Sequence, residues 1–132
     1  MYLLDTDTCA YVMKRSNAAL LDRLREVPID EQAVSVISVA ELQFGVRLSS
    51  RPDQAAAAFA AFVRHLVVLD WGGDAADHYA DIRADLRRRG AMIGANDLLI
   101  AAHARALEAT LVTNNVREFR RVRNLKLENW VR

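Results

Sequence analysis

Cysteine occurs once in these 132 residues, at Cys9, so no disulfide can form within the chain. A reducing cytosol is the expected setting. Proline stands only at 28 and 52, glycine occurs five times, and no linker, repeat or low-complexity segment interrupts the chain. No apolar run reaches the length of a membrane span. The opening residues 1–4 lack the basic start and long apolar core of a secretory signal. Lysine is nearly missing: 16 of the 18 basic residues are arginine, leaving Lys14 and Lys126. Arginine forks onto phosphate better than lysine does, although an Ala- and Arg-rich composition can equally reflect genomic base content. The net charge of +1 is uninformative by itself. A hydrophobic fraction of 52% argues against disorder, and the length suits one domain, residues 1–132, with a real core.

The chain alternates between short apolar runs and longer amphipathic stretches. Residues 1–4 read as a parallel strand buried on both faces, and 33–37, 66–69 and 110–113 as further short strands, with 125–127 as a last one. Helices are expected over 9–13, 18–27 (capped by Asn17), 39–49, 53–65 (with Pro52 in its first turn), 74–89 (ended by Gly90), 96–107 and 116–122. This alternation predicts an α/β fold: a central, mostly parallel β-sheet of four to five strands flanked by helices. In such sheets ligands bind beyond the carboxyl ends of the strands.

Acidic and amide residues follow those ends. Asp5 and Asp7 come after the first strand, Glu41 one helical turn after the second, and Asn114 and Asn115 after the fourth. Asp97 joins them only if its helix starts at the same edge. Each has an ordinary alternative. Asp5 and Asp7 suit a helix cap, Ser38 and Glu41 fit a capping box, Asp97 suits a first helical turn, and Asn114–Asn115 suit a turn. The joint pattern is stronger than its parts. Carboxylates without a His/Cys cluster select hard ions, Mg²⁺ or Mn²⁺, over zinc. The three histidines, His65, His78 and His103, have no ligand spacing and read as surface or helix-face residues.

Four stretches taken together carry a family resemblance: Leu3-Leu4-Asp5-Thr6-Asp7, Ser38-Val39-Ala40-Glu41-Leu42-Gln43-Phe44-Gly45, Asn96-Asp97-Leu98-Leu99-Ile100-Ala101-Ala102 and Val112-Thr113-Asn114-Asn115. In order and spacing the chain resembles the PIN-domain nucleases, and more closely the VapC toxins of bacterial toxin–antitoxin pairs. The resemblance implies a Mg²⁺- or Mn²⁺-dependent endoribonuclease that inhibits translation and is neutralised by a small VapB-type antitoxin. It further implies that an Arg or Lys of the antitoxin reaches the acidic pocket. By position, Asp5, Glu41 and Asp97 match the family's three acids, as catalytic and metal-binding residues. Asn115 falls where many relatives have a fourth acid, and Asp7 where many have Asn; with Thr113 these are accessory candidates. On this reading Asn115→Asp should tighten metal binding. The run 113–119 resembles the branch that cuts initiator tRNA.

RNA needs cations at the rim. Arg87, Arg88 and Arg89, and Arg117, Arg120, Arg121 and Arg123, are candidates, although cations near helix C-termini are favourable without a ligand. Apolar residues of 39–63 (Leu42, Phe44, Val46, Leu48, Phe59, Phe62) are expected to include an antitoxin groove. A second copy of the chain is a further expected partner, and no membrane is. Two other readings stand beside this one. A haloacid-dehalogenase-type phosphatase would use Asp5 as nucleophile, but it needs a lysine absent between 14 and 126. A non-catalytic PIN-like domain that binds RNA or a partner would explain a missing fourth acid.

Overall fold

The computed structural model describes residues 1–131. Five strands form one fully parallel sheet: β1 (Tyr2–Leu4), β2 (Gln32–Ser35), β3 (Val67–Leu69), β4 (Thr110–Val112) and β5 (Lys126–Glu128), in the order β3-β2-β1-β4-β5. Leu3 pairs with Ala33 on one side and Leu111 on the other; Leu4 pairs with Val34 and Val112. Successive strand residues face opposite ways, so these two rows feed two cores. Leu3, Ala33 and Leu111 pack with Ile82, Leu86, Leu98, Ile100 and Phe119; Leu4, Val34 and Val112 pack with Cys9, Leu20, Leu42, Phe59 and Phe62. The first core lies under α5 (Gly73–Arg89), α6 (Ala95–Ala106) and α7 (Val116–Phe119). The second lies under α1 (Thr6–Lys14), α2 (Ala18–Glu26), α3 (Val36–Leu48) and α4 (Pro52–Val63). The result is a three-layer α/β sandwich, as the unbroken apolar strands imply.

Strands β1 and β4 are neighbours although α1 to α6 lie between them in sequence, so the sheet reverses its direction of growth there. That reversal opens the crevice in which open α/β sheets bind ligands. The small residues of α6 let it sit deep: Ala101, Ala102 and Ala104 are fully buried, and α5 packs along it. Two bonds pin α6 to the strands. The Trp71 indole N–H donates to the Leu99 carbonyl at 3.0 Å, and His103 Nδ1 lies 2.8 Å from Ser35 Oγ. His103 is thus buried inside the fold rather than on a surface, held with its pKa below the ordinary value by desolvation.

Element boundaries differ from the sequence expectation where a polar side chain claims a backbone amide. The strand expected over 33–37 stops at Ser35, whose hydroxyl accepts from the Ile37 N–H and caps α3 three residues early. Val36 and Ile37 look like strand residues, but their weak β preference yields to a cap and to burial. Likewise α1 begins at Thr6, because Asp5 itself caps it. The last helix is one turn, Val116–Phe119, and does not reach residue 122.

Gly90 ends α5 at φ 62°, a conformation costly for residues with a Cβ. Gly90→Ala should cost about 1 kcal/mol. Leu3→Ala, which empties a site buried on every side, should cost about 2–5 kcal/mol. Urea unfolding of both variants checks the ranking.

Candidate active site at the carboxyl edge of the sheet

Asp5 leaves β1 with its N–H still on the ladder, bonded to the Val112 carbonyl at 3.0 Å. Its Oδ1 accepts from the Thr8 N–H at 2.9 Å, and the Thr113 side chain at the end of β4 also hydrogen-bonds it. Burial pushes the Asp5 pKa up, against the lowering effect of the Thr113 and Thr8 bonds. Cap and pocket acid are therefore the same residue. Asp7, exposed in the first turn of α1, adds a further repelling charge.

Glu41 does not close a capping box. Ser38 lies inside α3 and is buried, and the Glu41 carboxylate reaches across to two other elements. The Thr6 hydroxyl donates to Oε1 at 2.6 Å, and the Asn96 amide donates to Oε2 at 3.1 Å. Thr6 Oγ1 also lies 3.0 Å from Ser38 Oγ. Asn96 belongs to the first turn of α6, so that turn does start at the carboxyl edge of the sheet and brings Asp97 with it.

Asp97 is half-buried, and its pKa is pushed up to about 7. Desolvation is the largest cause, followed by the charges of Glu118, Asp5, Glu41 and Asp7 in that order. Glu118 is the residue that sequence reasoning missed. Its Oε1 accepts from the Gly94 N–H at 2.8 Å, and its Oε2 accepts from the Asn115 amide. The signal was present: an acid three positions after Asn115 falls on the same face of a helical turn. Gly94 lies against both carboxylates: a Cβ there would make ordinary contacts, 3.4 Å from Asp97 Oδ2 and 3.7 Å from Glu118 Oε1. Asn114 turns away, accepting from the Asn129 amide at 3.2 Å.

The candidate arginines divide. Arg89 is committed to Asp85 and to the Arg121 carbonyl, Arg121 to the Met92 carbonyl, and Arg123 to Asp85. The side chains of Arg87, Arg117 and Arg120 have no hydrogen-bond or ion-pair partner among the described residues, and Arg88 acts on Asp85 only at a distance. Arg117 sits between Asn115 and Glu118 in sequence, beside the pocket.

Mg²⁺ or Mn²⁺ would find donors of one chemistry here, carboxylate and hydroxyl oxygens, with Asp97 made reluctant to ionise by burial and then by its neighbours. A divalent cation answers that combination. Among the described residues no three His, Cys, Asp or Glu side chains close into a ready-made cage. Asp5 and Asp97 are the two acids with raised pKa values here, so they are the ones such an ion would relieve most.

A PIN-domain family model matches residues 2–125. The chain is 42% identical over 130 residues to "Ribonuclease VapC2" of Haemophilus influenzae, covering 98% of each chain. It is 36% identical over 129 residues to "tRNA(fMet)-specific endonuclease VapC" of Shigella flexneri, covering 98% of this chain and 97% of that one. In three dimensions it resembles the crystal structure of VapBC2 from Rickettsia felis bound to a promoter DNA fragment, with a TM-score of 0.92, 38% identity and 98% coverage of both chains.

Crowded acids cost the metal-free fold stability with a definite sign. The Asp97 carboxyl ionises near 3.8 when unfolded but only near 7 when folded. The penalty therefore accumulates between those values, is complete above 7 and vanishes below 4. Asp97→Asn should be more stable than wild type in chelator at pH 8, by on the order of 1 kcal/mol after solvent screening. The two should converge at pH 4. Thermal melts at both pH values check this, and a variant less stable at pH 8 would return Asp97 to a helix-start role.

Proposed function

Since the chain belongs to the PIN-domain family, among the VapC endoribonucleases, we propose that its carboxyl-edge pocket hydrolyses RNA with bound Mg²⁺ or Mn²⁺, that initiator tRNA is its substrate, and that a VapB-type antitoxin silences it. The observation that supports the reading best is the gathering of Asp5, Glu41, Asp97 and Glu118 from four separate elements around one acid raised to about 7. Asp5 and Asp97 would hold the ion, which when bound lowers the pKa of water and neutralises charge on the phosphoryl group. Glu41 keeps a free lone pair on each oxygen after accepting from Thr6 and Asn96, so it can orient a water toward the scissile phosphate. Arg87, Arg88, Arg117 and Arg120 supply the uncommitted cations for the RNA backbone. The non-catalytic reading rested on a missing fourth acid, and the Glu118 carboxylate beside Asn115 and Asp97 counts against it. The phosphatase reading yields to family membership.

For the antitoxin, we infer a groove of about 810 Å³ between α1, α2 and α4, lined by Val12, Met13, Leu21, Leu24, Phe62 and Leu66. The sequence expectation put the groove within residues 39–63, but only α4 of that stretch contributes. Leu42 is core, while Phe44 and Leu48 stand 64% and 70% exposed on α3, a separate face suited to a second copy of the chain. An antitoxin helix in the groove could extend an Arg or Lys toward the acids, meeting the charge that a cation otherwise meets. No helix is long and apolar enough to cross a membrane among the described residues, and the cytoplasm suits a partner of tRNA.

Asp5→Asn and Asp97→Asn should each lower Mg²⁺-dependent cleavage of initiator tRNA by more than the roughly 10–100-fold typical of losing an outer-shell partner. Near-normal cleavage by either folded variant would sink the assignment. RNA sequencing after brief expression should find one dominant cut in initiator tRNA; scattered cuts in messenger RNA would replace the substrate. On antitoxin binding, hydrogen exchange should slow across residues 12–29 and 58–66, and unchanged exchange there would move the groove elsewhere.

A further inference from the structure

Two amides in the pocket make bonds that neither motif matching nor metal chemistry calls for. Asn96 donates from Nδ2 to Glu41 Oε2 at 3.1 Å. Asn115 donates from Nδ2 to Glu118 Oε2, while its backbone N–H donates to Thr113 Oγ1 at 2.9 Å. Ionised carboxylates only accept, so the NH₂ end of each amide must face its partner. The other oxygen of each glutamate is held by a different element: Thr6 on Glu41 Oε1, and the Gly94 N–H on Glu118 Oε1. Each glutamate is thus gripped at both oxygens, and both grips include a group from the turn that opens α6. Asp97 lies in that same turn, with Gly94 under its carboxylate.

We propose that Asn96 and Asn115 are positioning residues: neutral amides that hold Glu41 and Glu118 turned to either side of Asp97. Resting on the hydrolytic reading of the pocket, this gives position 115 a role that an acid cannot fill. An aspartate there would present only oxygen to Glu118, replacing an attraction with repulsion between like charges and freeing Glu118 to swing. The sequence comparison led to the opposite expectation, in which Asn115→Asp restores a lost ligand. The two differ in sign, so one experiment separates them.

The test compares Asn115→Asp, Asn115→Ala, Asn96→Asp and the reversed pair Asn115→Asp with Glu118→Gln. Three quantities are read at pH 8: melting temperature in chelator, Mn²⁺ affinity by calorimetry, and kcat and KM on a short RNA. Asn115→Asp and Asn96→Asp should each lower Mn²⁺ affinity and kcat about ten-fold, with KM within about two-fold, since the phosphate-binding arginines are untouched. Asn115→Ala should lower kcat with little change in melting temperature, which a merely structural role would not do. The reversed pair carries the same total charge over the two positions as wild type, with the carboxylate and amide exchanged, and restores the amide–carboxylate bond. It should recover the melting temperature that Asn115→Asp loses, roughly 3–6 °C. Mn²⁺ affinity in Asn115→Asp equal to or above wild type, with kcat unchanged, would overturn the proposal. Should wild type neither bind Mn²⁺ nor cut RNA, the hydrolytic reading falls. The melts then decide alone, and no loss in Asn115→Asp overturns the amide assignment.

Discussion

Repulsion among carboxylates at the β1/β4 edge sets the terms for the rest of the molecule. Two unit charges about 5 Å apart at an effective dielectric near 20 repel by about 3 kcal/mol. A charge-assisted hydrogen bond returns about 1.5–3 kcal/mol. The two are of equal rank, so neither donors alone nor protonation alone settles the site. The structure shows both at work. Glu41 and Glu118 are each held by two donors, and Asp5 by Thr8 and Thr113. Asp97, with no donor to its carboxylate among the described residues, answers burial first and the repulsion second with a pKa of about 7.

Holding those donors in place is the work of the fold. The acids and their partners come from the ends of β1 and β4, from α3 and from the turns opening α6 and α7, so the site is only as rigid as the packing between these elements. That packing is dry on both faces of the sheet, with Leu3 and Leu4 alike fully buried. Within it, Trp71 and His103 fix α6 against the strands that carry the other groups. Trp130 is anchored separately: its ring packs tilted at 59° against Tyr2 with centroids 5.0 Å apart, and the Arg23 guanidinium lies over both rings. That clasp braces α2, one wall of the groove inferred for the antitoxin.

Different faces thereby carry different chemistry. An acid pocket lies at the sheet edge, the arginines without side-chain partners sit at the end of α5 and around α7, and an apolar groove opens between α1, α2 and α4. The exposed Phe44 and Leu48 lie on α3 apart from that groove. A single small domain can therefore engage a polyanion and a protein without either occupying all of the other's surface.

By itself the sequence determined the class of fold and which acids could meet at the carboxyl edge of the sheet. Apolar strands without alternation require helices on both faces, and acids placed after such strands fall at one edge whatever the details of packing. Tertiary structure decided what spacing could not. Whether Glu41 faced its own helix cap or the pocket depended on Thr6 and Asn96, 35 and 55 residues away in the chain. His103 looked like a helix-face residue because its partner Ser35 lies 68 positions earlier. Glu118 passed unremarked because a single helical turn has too little periodicity to announce itself, and its charge matters only beside Asp97. Local pattern fixes which residues can meet at an edge; the long-range hydrogen bonds, which no local pattern encodes, fix which way each one turns.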